Sequence, residues 1–124
     1  MVVLINSMSV KPVQTLDGVT MRMVIGPDQG ARHFNLRIFE VEPRASTPYH
    51  SHWWEHEVYI LAGKGVVKDQ TGEKLISSGD AILVQGGELH QFINTGTETL
   101  RFICVVPQEW LESISAQSDD ESDG

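Results

Sequence analysis

The stretch His50-Ser51-His52-Trp53-Trp54-Glu55-His56-Glu57 holds three of the chain's five histidines. His50 and His52 are separated by one residue, and in an extended strand that spacing points both rings to the same face. His56 begins the next strand after a tight connection. A fourth histidine, His90, follows the Gly86-Gly87 turn and opens another strand. Neutral imidazole is the commonest transition-metal ligand in proteins. A pair on one strand supplies two ligands at nearly fixed geometry, and the others must come from neighbouring strands. Two histidines alone would carry little weight. Four in this spacing, bracketed by glycines, point to a metal site made of His50, His52, His56 and His90.

Outward from this stretch the chain reads as all-β. Turn signals recur at Asp17-Gly18, Gly26-Pro27, Gly63-Lys64-Gly65, Thr71-Gly72, Ser78-Gly79-Asp80, Gly86-Gly87 and Asn94-Thr95-Gly96. Between them lie short apolar or alternating runs: Val19–Ile25, Phe34–Val41, Val58–Leu61, Gly65–Lys68, Lys74–Ser77, Ala81–Val84, Leu89–Ile93 and Leu100–Val106. Short strands at such regular spacing predict a β-sandwich or barrel. One short helical candidate lies at Pro107–Ile114, with Pro107 starting a turn and Trp110 packing back. Alternation sets the faces. Phe102, Cys104 and Val106 share one, as do His56, Val58 and Ile60, with Glu57 and Tyr59 opposite.

The chain has 124 residues, enough for one domain, and is 40% hydrophobic, enough for a core. No apolar run approaches the roughly 20 residues needed to cross a bilayer. The N-terminal run Val2-Val3-Leu4-Ile5 is too short for a signal sequence, so a cytoplasmic protein is expected. A single cysteine, Cys104, excludes an internal disulfide framework and agrees with a reducing compartment. Net charge is −8; of the 17 acids, four lie in the segment 115–124, which leaves 13 against 9 Lys and Arg. We therefore expect one domain over 1–114 and an acidic tail over 115–124, too polar to pack. A body without a basic patch argues against nucleic acid as partner.

The segment from His50 resembles the first motif of the cupins: His-x-His, three or four residues, an acid, six residues, Gly. Here His50, His52, His56 and Gly63 fill that spacing, with His56 in the place of the acid; the alternative, with four intervening residues, makes Glu57 the ligand and leaves His56 exposed. The second cupin motif is Gly, five residues, Pro-x-Gly, two residues, His, three residues, Asn. It is matched by Gly79, Gln85-Gly86-Gly87, His90 and Asn94, with Gln85 at the proline. His-Ser-His-x-Trp-Glu-His-Glu, followed by a Phe-x-Cys strand ending in Pro, is similar to the small four-histidine, manganese-type cupins. That likeness reaches upstream through Leu36–Pro43. It implies a double-stranded β-helix, or jelly-roll barrel, holding one divalent metal, manganese or iron before nickel, copper or zinc. Arg44 stands where the first motif has glycine, so the loop before the ligand strand is not expected to use a glycine conformation.

Four neutral imidazoles leave a divalent metal's charge at +2, where three and a carboxylate would leave +1. Such a centre is a stronger Lewis acid and favours anionic oxygen ligands. Six-coordination, as the resemblance implies, keeps two positions open. Parity places Val58, Phe92, Phe102, Cys104 and Val106 as an apolar wall, serving as barrel core, substrate pocket or both. Cys104 reads as a buried inert thiol, or as a ligand or redox thiol. Arg37, the cation within Phe34–Val41, reads as an anion-binding residue or as a salt bridge at the barrel mouth. Trp53-Trp54 reads as lid or interface, and His33 as a surface residue. The functional expectation is a metal-dependent oxygenase acting on a small anionic or enolisable molecule. The alternatives are a metal-dependent isomerase, lyase or decarboxylase, and a non-catalytic small-ligand-binding module. Val2–Ile5, with nowhere to pack in a monomer, predicts a homodimer.

Overall fold

A computed structural model describes residues 1–109. The expected helix at Pro107–Ile114 falls mostly outside those residues, as does the acidic tail. Among the described residues nine strands form two antiparallel sheets. They are β1 (Val13–Leu16), β2 (Val19–Ile25), β3 (Phe34–Val41), β4 (His56–Ala62), β5 (Lys64–Asp69), β6 (Gly72–Ser77), β7 (Ala81–Val84), β8 (Gln91–Asn94) and β9 (Leu100–Pro107). The larger sheet runs β1-β2-β3-β9-β4-β7 and the smaller β6-β5-β8. This is a barrel of the kind expected from the turn spacing, and the jelly roll that the cupin resemblance implies. β1 had no counterpart among the expected runs. Val13 and Leu16 are both exposed, so its residues carry little hydrophobic pattern.

The interior is built in rows set by cross-strand register. Asn35 faces Val106 and Arg37 faces Cys104 across β3 and β9, followed by Phe39 opposite Phe102 and Val41 opposite Leu100. β4 continues the rows, with Val58 beside Cys104 and Ile60 beside Phe102. His56 lies one residue beyond the Glu57–Val105 pair and faces Val84 of β7. Polar side chains thus gather at one end of the interior and apolar ones at the other. At the apolar end Phe39 and Phe102 stack at 5.4 Å, and Phe92 leans on Phe102 at 5.0 Å. On the outer face Glu40 pairs with Arg22 and Arg101, which ties β2, β3 and β9. Val2 and Leu4 are almost wholly exposed, as an unpartnered apolar segment would be.

The approach to the histidines is an irregular strand. Residues 44–50 run antiparallel to β8, with Asn94 N–H bonded to the Ala45 carbonyl and Thr47 N–H to that of Phe92. His50 and His90 then exchange backbone hydrogen bonds at 3.2 and 3.0 Å. The loop begins at Arg44, which takes a left-handed φ of 73°. This corrects the expectation from sequence: the backbone does use the glycine-type conformation there, with a side chain that the conformation disfavours. Arg44 is exposed, so nothing but its own backbone strain opposes it.

Candidate metal site

Each histidine reaches the site by a different route. His50 and His52 come from the loop before β4, His56 from the first position of β4, and His90 from the residue before β8. The Gly86-Gly87 turn makes room for this meeting. A Cβ at Gly86 would collide with the Trp53 carbonyl, and Gly87 has a φ of 82° and donates its N–H to the His52 carbonyl. The side-chain nitrogens of His50, His52 and His90 include one from each that lie within 4.8 Å of one another.

For His52 and His90 hydrogen bonds decide which nitrogens these are. His52 Nδ1 lies 3.1 Å from the Trp54 carbonyl, and His90 Nδ1 lies 2.9 Å from the Glu88 carbonyl. A carbonyl can only accept, so in each neutral ring Nδ1 carries the proton and Nε2 the lone pair. His50 Nε2 and His52 Nε2 are buried without a hydrogen-bond partner. Buried, unpaired acceptors that converge are costly unless something binds them. A divalent cation fits this donor set, since it needs deprotonated nitrogens whose opposite N–H is anchored. Burial, reinforced by repulsion from His90, lowers the pKa of His50 to about 4 and of His52 to about 3. The rings therefore present lone pairs at neutral pH.

His56 is brought to the same place but stands differently. Its ring stacks on His52 at 4.2 Å and lies 5.4 Å from His90. Its Nε2 accepts from the Trp54 indole N–H at 3.1 Å, and its Nδ1 is 3.2 Å from Cys104 Sγ. It is outside the three-histidine group. His56 is fully buried and Glu57 is exposed, as strand parity requires. His33 is exposed and lies apart from the cluster. The expected wall residues Val58, Phe92, Phe102, Cys104 and Val106, together with Arg37, are all packed in the interior. Of these six only Val106 also lines a surface groove of about 460 Å³, which is faced by Phe34, Trp53, Trp54 and Pro107 and rimmed by Glu57.

Trp54, expected as lid or interface, is buried against the histidines instead. It stacks on His52 at 4.3 Å, bonds His56, and forms part of the groove wall. Strand parity could not have found it, because Trp54 lies in a bend of the loop before β4.

The barrel and its three-histidine cluster define a β-barrel of the double-stranded helix type with a candidate metal site. The chain belongs to the cupins: the cupin domain family matches residues 37–106. It is similar to the polyketide cyclase RemF from Streptomyces resistomycificus, a solved structure, with 36% identity and a TM-score of 0.81. That match covers 88% of this chain and 81% of that one. An oxalate-binding protein from Thermotoga maritima is 36% identical over 80 residues, 61% of this chain. A 1-methylthio-D-xylulose 5-phosphate methylsulfurylase from Rhodospirillum rubrum is 32% identical over 74 residues, 60% of this chain. These alignments span 66% and 47% of the length of the two curated relatives. Among the described residues no helix is long and apolar enough to cross a membrane.

Proposed function

We propose that this protein is a metal-dependent enzyme for a small enolisable carbonyl compound, catalysing ring closure or a related reaction at the carbon beside a carbonyl without dioxygen. The observation that carries this is the convergence of three histidine ring nitrogens, the buried Nε2 atoms of His50 and His52 being unpaired, with no carboxylate in the cluster among the described residues. His50, His52 and His90 would hold the metal, with His56 as a fourth ligand if its Nε2 exchanges the Trp54 indole N–H for the metal. A divalent metal so bound supplies Lewis-acid polarisation of a substrate oxygen. The ligands, all neutral, do not offset its charge, which favours enolate or carboxylate oxygen.

The protein's remaining task is orientation. Trp53 and Trp54 offer flat apolar faces in the groove, suited to a conjugated or polyketone substrate. Trp54 joins that groove to the site through its stack on His52. The likeness to a polyketide cyclase over most of both chains supports this class of reaction. Manganese or iron follows from the four-histidine resemblance, and nickel, copper and zinc are also compatible with imidazole.

Two other readings use the same site. Dioxygen in an open coordination position would make the protein an oxygenase, and the comparisons lend that no specific support. The similarity to an oxalate-binding protein favours capture of a small chelating anion without turnover.

The test is to load the purified protein with each metal in turn and supply a linear poly-β-ketone anaerobically. Metal-dependent cyclised product, formed without oxygen, is expected. Product only with oxygen consumption would establish the oxygenase. Tight oxalate binding with no product under either atmosphere would establish the binding protein.

A further inference from the structure

Three of the four histidines have their Nδ1 side fixed by a named partner, and the third partner differs from the other two. For His52 and His90 the partner is a backbone carbonyl in a loop. For His56 it is Cys104 Sγ, at 3.2 Å, which is itself 3.1 Å from Arg37 Nη2. We infer that Cys104, backed by Arg37, is the positioning residue of His56: by taking the Nδ1 proton in a hydrogen bond it holds the ring with its lone pair on Nε2, the nitrogen that here accepts from the Trp54 indole N–H and that a metal would take over from it. This rests on the reading of that site as a metal centre.

The reason for a side-chain partner lies in the strand. His56 belongs to β4, hydrogen-bonded between β7 and β9, where backbone carbonyls are committed to the ladders. Among the described residues no loop carbonyl bonds this ring, and the partner of Nδ1 comes from a neighbouring strand's inward face. Register supplies it. Cys104 of β9 sits opposite Arg37 of β3 and beside Val58 of β4, one alternation from His56. His56, Cys104 and Arg37 are each no more than 1% exposed, so water does not compete for these bonds.

The donor assignment follows from the partners. An indole N–H can only donate, so His56 Nε2, which meets Trp54 Nε1, is the acceptor nitrogen of the neutral ring. Nδ1 therefore carries the proton and donates to Cys104 Sγ. Arg37 is also a permanent donor to the same sulfur. A thiol sulfur has two lone pairs and can accept both. Sγ is then fully engaged as an acceptor, which places it in the outer support of the ligand rather than on the metal.

Three substitutions test this in the full-length protein: Cys104→Val, which keeps bulk but accepts nothing, Cys104→Ala, and Cys104→Ser, which restores an acceptor. Metal affinity is read by chelator competition, and folding by the thermal midpoint. The expected result is an affinity loss of about 10- to 100-fold for Val and Ala, with Ser within a few-fold of wild type. Equal affinity for Val and wild type would overturn the inference. So would a sulfur-to-cobalt charge-transfer band in the cobalt-loaded wild type, which would make Cys104 a ligand. Independently of any metal, ¹⁵N NMR of the His56 ring should show the Nδ1-protonated tautomer in wild type, and Cys104→Val, which leaves that N–H without its acceptor, should shift the Nδ1 resonance. An Nε2-protonated ring in wild type would also overturn it. A wild type that binds no metal yet shows the expected tautomers would defeat the functional reading and leave the Cys104–His56 bond standing.

Discussion

The two ends of the barrel interior are built on the same strands and buried to the same degree, yet they have opposite chemistry. At one end Phe39, Phe102, Ile60 and Leu100 fill the space between the sheets. At the other, the same strands place Asn35, Arg37, Cys104 and His56. Moving two residues along β9, from Phe102 to Cys104, exchanges a stacked ring for a sulfur held by two nitrogen donors. The apolar end contributes stability through area removed from water. The polar end contains groups whose burial opposes folding: lone pairs at His50 and His52, and an Asn35 amide with no hydrogen-bond partner. The comparison teaches that this barrel is stabilised at one end so that unfavourable groups can be held rigidly at the other.

The largest expected effect comes from the apolar end. Phe102→Ala should destabilise the fold by about 3–5 kcal/mol, because it opens a cavity among rings that cannot collapse onto one another. Denaturant melts would show this, while the fraction that remains folded should hold metal as before. A matching loss of metal affinity in folded molecules would break the separation of the two ends.

His90→Ala should do the reverse. Metal affinity should fall by more than the roughly 100-fold typical of an outer partner, with a smaller cost in stability. His33→Ala and Glu57→Gln should leave metal content nearly unchanged, since both residues are exposed and point away from the cluster. Elemental analysis of the purified variants checks this. Equal metal in His90→Ala and His33→Ala would refute the site.

Acid should act on the polar end only. The unfolded chain takes up protons on His50 and His52 near the ordinary value of 6.5, whereas the folded protein holds them off until about 4 and about 3. Below pH 6.5 the unfolded state therefore binds more protons than the folded one, and stability falls as pH falls. The metal-free protein should show a thermal midpoint that is level above about pH 7 and drops from there toward pH 4. A flat midpoint across that window would mean the rings are not desolvated as the structure shows.

The smallest effect concerns the loop that delivers His50. Arg44→Gly should stabilise the protein by no more than about 1 kcal/mol, since glycine meets a φ of 73° without strain but costs more entropy in the unfolded chain. Metal affinity should not change. A destabilised variant would show that the Arg44 side chain makes a contribution larger than its strain.

Much of this was legible in the sequence, and unevenly so. Period-two alternation and turn residues located eight of the nine strands. They missed β1, an edge strand whose Val13 and Leu16 are exposed. Parity placed His56 inward and Glu57 outward because a strand alternates its side chains without exception unless it bulges. At Arg44 residue type misled: glycine is the favoured occupant of a left-handed position, but a surface loop pinned by the backbone bonds of residues 44–50 can hold another residue there.

By itself, then, the sequence determined what local rules govern: the all-β class, the inward faces, and which histidines could meet. It could not determine which nitrogen of each ring carries the proton, or that Trp54, Glu88, Cys104 and Arg37 are the groups that decide it. Those contacts join strands far apart in the chain, such as Arg37 and Cys104. Cross-strand register sets them, and register is fixed only when the whole barrel closes and every row must pack at once.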